Sequence, residues 1–185
     1  MMLKKACLPI LMLGLLGLAC LLVTPAADAH GPSRQKVVKS VDIQAPPAAV
    51  WAIIKDFGSI DKWHPAVAKT TWTGGNAVGA TRVVTLKSGG EIKEALTKYD
   101  ADAMMYAYEI TDVNIDVYPV NTYSSQISVK SNGSGGTTLE WRAAFYRGYT
   151  LNDPPEKYND DAALAAVTGV IEAGVSNIKA LAEKK

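Results

Sequence analysis

The sequence predicts an α+β fold: a curved seven-stranded antiparallel sheet closed by one long C-terminal helix. Three observations carry this. Short β-patterned runs separated by Gly- and Asn-rich turns fill residues 67–146. A helical stretch sits unusually early, between the first two strand-like runs, which favours a curved sheet with helices at its mouth over a plain sandwich. Finally, an apolar repeat at 3–4 spacing continues without a break from Leu164 to Leu181.

Residues 36–44 form the first strand, with Val37, Val41 and Ile43 on one face. The stretch Pro46–Pro65 follows, and the rest of the chain is organised around it. Proline suits a first helical turn, where its missing N–H would be unbonded anyway. Val50, Ile53, Ile54 and Phe57 fall at i, i+3, i+4 and i+7, the apolar face of a helix of about three turns. Gly58 supplies a stop, and Ser59 can cap a second short turn over Ile60–Trp63. His64-Pro65 then turns the chain extended, because the residue before proline avoids the α region.

Val67–Thr73 is the second strand, ended by Gly74-Gly75-Asn76. Thr81–Leu86 and residues 91–99 flank Lys87-Ser88-Gly89-Gly90, a hairpin with glycine at its turn. Residues 100–103 turn into a strand over 104–110, and 111–118 is expected to be irregular, at one end of the sheet. Residues 120–130 and 137–146 form a long hairpin across Ser131–Gly136. The loop 147–159 is polar and contains Pro154-Pro155; it reads equally as a partner surface or as a solvated connector.

Asp160 and Asp161 start the last helix, where carboxylates favour the positive end of the dipole. Its apolar stripe is Leu164, Val167, Ile171, Gly174, Ile178 and Leu181. Many neighbours in that helix are small, including Ala162, Ala163, Ala165, Ala166, Gly169 and Ala173. Glycine inside a helix costs roughly 0.5–1 kcal/mol relative to alanine, so a reason is expected. Either backbone packs closely on the sheet, or the helix is thinned to leave a cavity beneath it.

At the N-terminus Lys4 and Lys5 precede the apolar run 8–23, and Ala27-Asp28-Ala29 is a small-x-small cleavage site. This reads as a secretory signal over 1–29, cut before His30, with 30–35 as a polar lead-in and 36–185 as one domain. A retained anchor is the competing reading, but the run is short for a span. Lipidation at Cys20 is another, opposed by the apolar Leu21-Leu22-Val23 that follows it. Export to the periplasm is expected, with no membrane association after cleavage.

Cleavage would remove Lys4, Lys5 and Asp28 from 19 basic and 18 acidic residues, leaving 17 of each. Without net charge or a basic stripe, nucleic acid is not an expected partner. Both cysteines, Cys7 and Cys20, leave as well, so the exported domain has no disulfide and no thiol nucleophile. About 156 residues are enough to bury roughly 68–70% of the unfolded surface without one.

The opening D-I-x-A-P-P-A-x-V-W-x-x-I-x-D-F, the W-H-P corner, the G-G-x-I-x-E hairpin and the β-αα-β6-α order resemble the SRPBCC superfamily. These are START-like, polyketide-cyclase-like helix-grip domains. Within that group, A-H-G-P at 29–32 and F-Y-R-G-Y-x-x-N-D-P-P at 145–155 are similar to the MxaD family, periplasmic accessories of bacterial methanol oxidation. The resemblance implies a ligand-sized cavity under the last helix. It also implies a role beside methanol dehydrogenase and its cytochrome.

Candidate site residues come from strand alternation. Ile92, Glu94 and Leu96 share a face, as do Arg82, Val84 and Leu86, so Arg82 and Glu94 can pair inside the cavity. Otherwise this face is an exposed strand end. A lone buried carboxylate would be costly or protonated. Tyr106 and Tyr108 share a face with Met104 and Ile110; Trp141 and Phe145 with Leu139 and Ala143; Tyr123 with Ser125, Ile127 and Val129. Such aromatic rows suit a core as well as a ligand wall, and buried hydroxyls need partners. With Trp63 and His64 at the rim and Val167 and Ile171 above, these residues make up the expected binding set for a small apolar or amphipathic ligand.

A cyclase, dehydratase or lyase reading would use Glu94, His64 and Tyr106 as acid–base groups. His64 reads otherwise as a structural cap at the pocket rim. No serine sits in a G-x-S-x-G elbow. Asp112-Val-Asn114-Ile-Asp116 begins like an EF-hand loop, but Val117 and Tyr123 replace its glycine and closing glutamate. A two-nitrogen copper grip at a freed His30 is the remaining metal candidate. No metal and no cofactor is therefore expected.

Overall fold

The computed structural model describes residues 31–184. The signal segment, Cys20 and the His30 copper candidate lie outside these residues. Strand β1 (Gln35–Ile43) leads into α1 (Pro47–Ile54), a 3₁₀ turn (Phe57–Ser59) and α2 (Ile60–Trp63). A meander follows: β2 (Val67–Thr73), β3 (Thr81–Leu86), β4 (Glu91–Asp100), β5 (Met105–Val113), β6 (Val120–Ser131) and β7 (Thr137–Arg147). A second 3₁₀ turn (Glu156–Tyr158) precedes α3 (Asp160–Ala182). The sheet order is β1-β7-β6-β5-β4-β3-β2, with every adjacent pair antiparallel. Each strand neighbours its sequence successor except β1, which crosses to β7, so β1 and β2 are the edges.

Register shifts interrupt β2 between Val67 and Lys69, β4 at two points and β6 between Asn121 and Ser124. Extra residues of this kind bend a strand and increase its twist, which curves the sheet around the helices. The core between sheet and helices is a connected aromatic network. Trp51, Tyr106, Phe57, Tyr108, Tyr123 and Phe145 contact one after the next at centroid distances of 6.1–6.3 Å.

Several local expectations are corrected. Helix α1 ends at Ile54 after 8 residues, and Phe57 belongs to the 3₁₀ turn that follows. Gly58 is no left-handed stop. It is needed because the Trp72 ring lies over it: a Cβ there would come within 2.2 Å of that ring. Ser59 does not accept from a helical N–H; its hydroxyl donates to the Asp56 carbonyl at 2.8 Å. Strand β5 runs on to Val113, so the irregular segment begins at Asn114. Asn159 caps α3 through its side chain, which accepts from the Ala162 N–H at 2.8 Å.

Helix α3 buries Ala163, Val167, Ile171, Gly174, Val175 and Ile178, packing on β1, β7 and α1. The two glycines have different explanations. Gly169 is exposed and no atom lies near its missing Cβ, so it clears nothing beneath the helix. A Cβ on Gly174 would sit 2.5 Å from Trp141 Cζ3 and 2.9 Å from His64 Cδ2. Close approach of helix backbone to these two rings, not thinning over a void, explains glycine at this point.

Candidate functional site

The hairpin turn at Gly89 and Gly90 uses positive φ values of 95° and 86°, open to glycine without strain. It sets the β3–β4 register, which places Arg82 directly opposite Glu94. Both point inward and are buried at 1% and 6% exposure, numbers that require a pair. Arg82 Nε donates to Glu94 Oε2 at 2.5 Å and Nη1 to the Phe57 carbonyl at 2.6 Å. The guanidinium carbon lies 4.1 Å from the Phe57 ring centroid and 4.9 Å from that of Tyr108, a cation held between two ring faces. Arg82 Nη2 and the Tyr106 hydroxyl have no hydrogen-bond partner among the described residues.

Burial pushes the Glu94 carboxyl up, against the pull of Arg82. For Arg82, burial opposes the charge, but Glu94, Tyr106 and Tyr108 outweigh it, so the guanidinium stays ionised. Burial raises the Tyr106 hydroxyl to about 12, and burial holds Tyr108, Tyr118 and Tyr123 well above their ordinary value.

On the other side stands the corner that follows α2. His64 Nε2 bonds the Val170 carbonyl at 2.9 Å, and Nδ1 accepts from the Ala66 N–H at 3.2 Å. A carbonyl only accepts and an amide N–H only donates, so the ring is the neutral Nε2–H form. Asn177 Nδ2 donates to the Trp63 carbonyl at 2.7 Å. The corner is thus fastened to α3 on both sides of Gly174. Trp63, His64 and Trp141 meet edge to face at 5.8–6.0 Å. Trp141 Nε1 donates to Ser125 Oγ at 2.8 Å, whose hydroxyl donates onward to the Arg142 carbonyl at 3.0 Å.

Burial lowers the His64 pKa, with Arg82 and Lys87 adding to it and the Val170 bond opposing. The unfolded chain, near about 6.5, therefore binds a proton that the folded chain refuses. Stability from this group is present above that value and lost as pH falls toward the folded-state pKa. The urea midpoint is expected to drop between pH 7.5 and 5.5, and less steeply in His64→Gln. Equal slopes for the two proteins would show that His64 carries no such linkage.

Between corner and hairpin lies a cavity of about 50 Å³. Of the expected set, His64, Glu94, Tyr108, Tyr123 and Trp141 line it. Trp63, Arg82, Tyr106, Phe145, Val167 and Ile171 do not; they are buried in the core around it. Arg82 stands behind Glu94, and Val170, not Val167 or Ile171, is the α3 residue in the wall. Val67, Val84, Leu86, Ile92 and Ile110 complete the sheet side, and Tyr118 enters from the segment before β6. Alternation along β3 and β4 already placed Val84, Leu86 and Ile92 on the inward face. Nothing in the local sequence marks Tyr118 or Val170.

Among the described residues no cluster of three or more His, Cys, Asp or Glu could hold a metal. Asp112 pairs with Lys93 at 2.8 Å, and Asp116 with Lys157 at 2.9 Å and with Tyr158. The motif around Arg147 has a structural role: its Nε donates to the Tyr149 carbonyl at 2.9 Å and Nη2 to that of Leu151 at 3.1 Å. Its Nη1 reaches Asp160 at 3.1 Å, folding the polar loop onto the start of α3.

The profile of the family described as polyketide cyclase/dehydrase and lipid transport matches residues 34–183. An uncharacterised protein from Bacillus thuringiensis superposes at TM-score 0.67 and 24% identity, over 81% of this chain and 100% of that one. XoxI from Bacillus cereus gives 0.66 and 24%, over 80% and 94%. Norcoclaurine synthase from Thalictrum flavum, in complex with dopamine and hydroxybenzaldehyde, gives 0.63 and 13%, over 97% and 99%. At these identities the likeness is one of fold. No curated protein matches the chain.

Proposed function

Because this chain belongs to the polyketide cyclase/dehydrase and lipid transport family, in the SRPBCC helix-grip fold, we propose that it is a non-catalytic binding protein. It acts in the periplasm, as an accessory to methanol oxidation beside methanol dehydrogenase and its cytochrome. The observation that carries the non-catalytic reading is that the acid–base groups around the cavity are already engaged. Both His64 nitrogens hold backbone groups, so the ring has no free lone pair with which to take a proton. Glu94 is ion-paired, Tyr106 lies outside the cavity wall, and the lining tyrosines do not ionise near neutral pH.

Size points the same way. A cavity of about 50 Å³ falls far below the roughly 300–1,000 Å³ of pockets for drug-sized molecules. It leaves no room for a pair of aromatic reactants such as those bound by norcoclaurine synthase. Support for the location and the partners comes from the N-terminal export pattern and the F-Y-R-G-Y-x-x-N-D-P-P stretch.

The test combines a pull-down with methanol dehydrogenase and its cytochrome and a turnover assay with and without this protein. Association together with faster electron transfer is expected. No association and no change in electron transfer would remove the accessory role.

A further inference from the structure

We infer that the cavity's occupant is a small neutral alcohol whose hydroxyl donates to Glu94 Oε1. This rests on the binding reading above and narrows it to a ligand class.

Glu94 is buried and lines the cavity while its partner Arg82 does not. Only Oε2 is committed to that ion pair; among the described residues no hydrogen bond reaches Oε1. Two of the other polar groups in the wall are occupied. His64 has both nitrogens bonded and Trp141 donates to Ser125, while the Tyr118 hydroxyl, on a residue of the wall, is buried with no hydrogen-bond partner among the described residues. The remaining wall is apolar: Val84, Leu86, Ile92 and Ile110 from the sheet, with the rings of Tyr108 and Tyr123, facing Val170. The site is a small, largely apolar chamber with a free carboxylate oxygen and a buried hydroxyl, and it calls for an apolar body bearing a hydroxyl, which donates to the one and accepts from the other.

Charge removes two classes. Arg82 already neutralises Glu94, so an ammonium ligand would leave an uncompensated positive charge in an apolar space. A carboxylate would confront Oε1 directly. Size sets the rest: about 50 Å³ is a third of the ~150 Å³ apolar cavity that holds benzene. Benzene has six heavy atoms, so the same scaling leaves room for about two and restricts the ligand to the smallest alcohols.

The experiment titrates the protein with ethanol, dimethyl ether, ethylammonium and formate, all of three heavy atoms, following the tryptophan indole N–H signals by NMR. The ether matches the alcohol in heavy atoms but lacks the donor. With ethanol the Trp141 signal is expected to move and that of the exposed Trp72 to stay, with affinity at least tenfold above the ether. Equal affinity for alcohol and ether, or tighter binding of either ion, would overturn the alcohol assignment and leave a binding cavity standing. No response to any of the four would overturn the alcohol assignment and the occupied cavity together. Dehydrogenase association is read separately and stands or falls without it.

Discussion

Arg82→Leu is expected to lower the unfolding free energy by about 3–5 kcal/mol, because removing one partner of a buried ion pair leaves the other uncompensated. Glu94, at 6% exposure, would keep its carboxylate in a wall of aliphatic groups. The Phe57 carbonyl would lose its donor, and the two ring faces their cation. In the double substitution Arg82→Leu with Glu94→Leu the charge penalty disappears, so most of the loss should return. Chemical denaturation of the two single variants and the double variant measures this as a coupling energy. Acid offers a second reading. Without Arg82 the Glu94 carboxyl, already raised by burial, rises further above its unfolded value. Stability from such a group is present at low pH and lost as pH rises, so Arg82→Leu should partly recover on acidification toward pH 5. A double variant as unstable as the single one would show that packing, not charge, carries this site.

Trp141→Ala is expected to destabilise the protein by a similar amount, about 3–5 kcal/mol, the range for deleting a large buried aromatic. Trp141 is 1% exposed and contacts Trp63 and His64 ring edge to ring face. Its loss would also strip Ser125 Oγ of a donor. The freed volume adjoins the existing chamber, so the surviving folded fraction should bind benzene-sized molecules that the parent excludes. Trp141→Phe keeps much of the packing but not the hydrogen bond, and should fall between. Loss under about 1 kcal/mol for the alanine variant would mean that the surroundings collapse into the space.

What could be read from the sequence was whatever a strand or helix repeats locally. Arg82 and Glu94 were legible as a pair because two-residue alternation turns both inward and a short glycine hairpin sets them opposite each other. The inward aromatics of β5 and β7, the seven strands and the long last helix follow from the same periodicities. What escaped was made by distant meetings. His64 is held by Val170, 106 residues away, and no pattern around either residue announces it. Tyr118 reaches the chamber from an irregular segment whose shape depends on Val117 packing over Gly90. On α3 the wall residue is Val170, although the apolar repeat singles out Val167 and Ile171. Those two face the core directly, and only the position of the corner after α2 decides which flank of the helix meets the chamber. Gly58 departs from its local pattern for a related reason: it yields to a ring from β2, not to the chain's own turn.

The pairing of β1 with β7 sets the time at which this molecule can first exist. Gln35 lies opposite Phe145 and Ile43 opposite Thr137, so the earliest strand waits for one made about a hundred residues later. A chain still emerging from the ribosome has the first strand, the corner and the early hairpins, but nothing to close them. Contacts so distant along the chain slow folding, and a release truncated before Thr137 should yield no native protein at all.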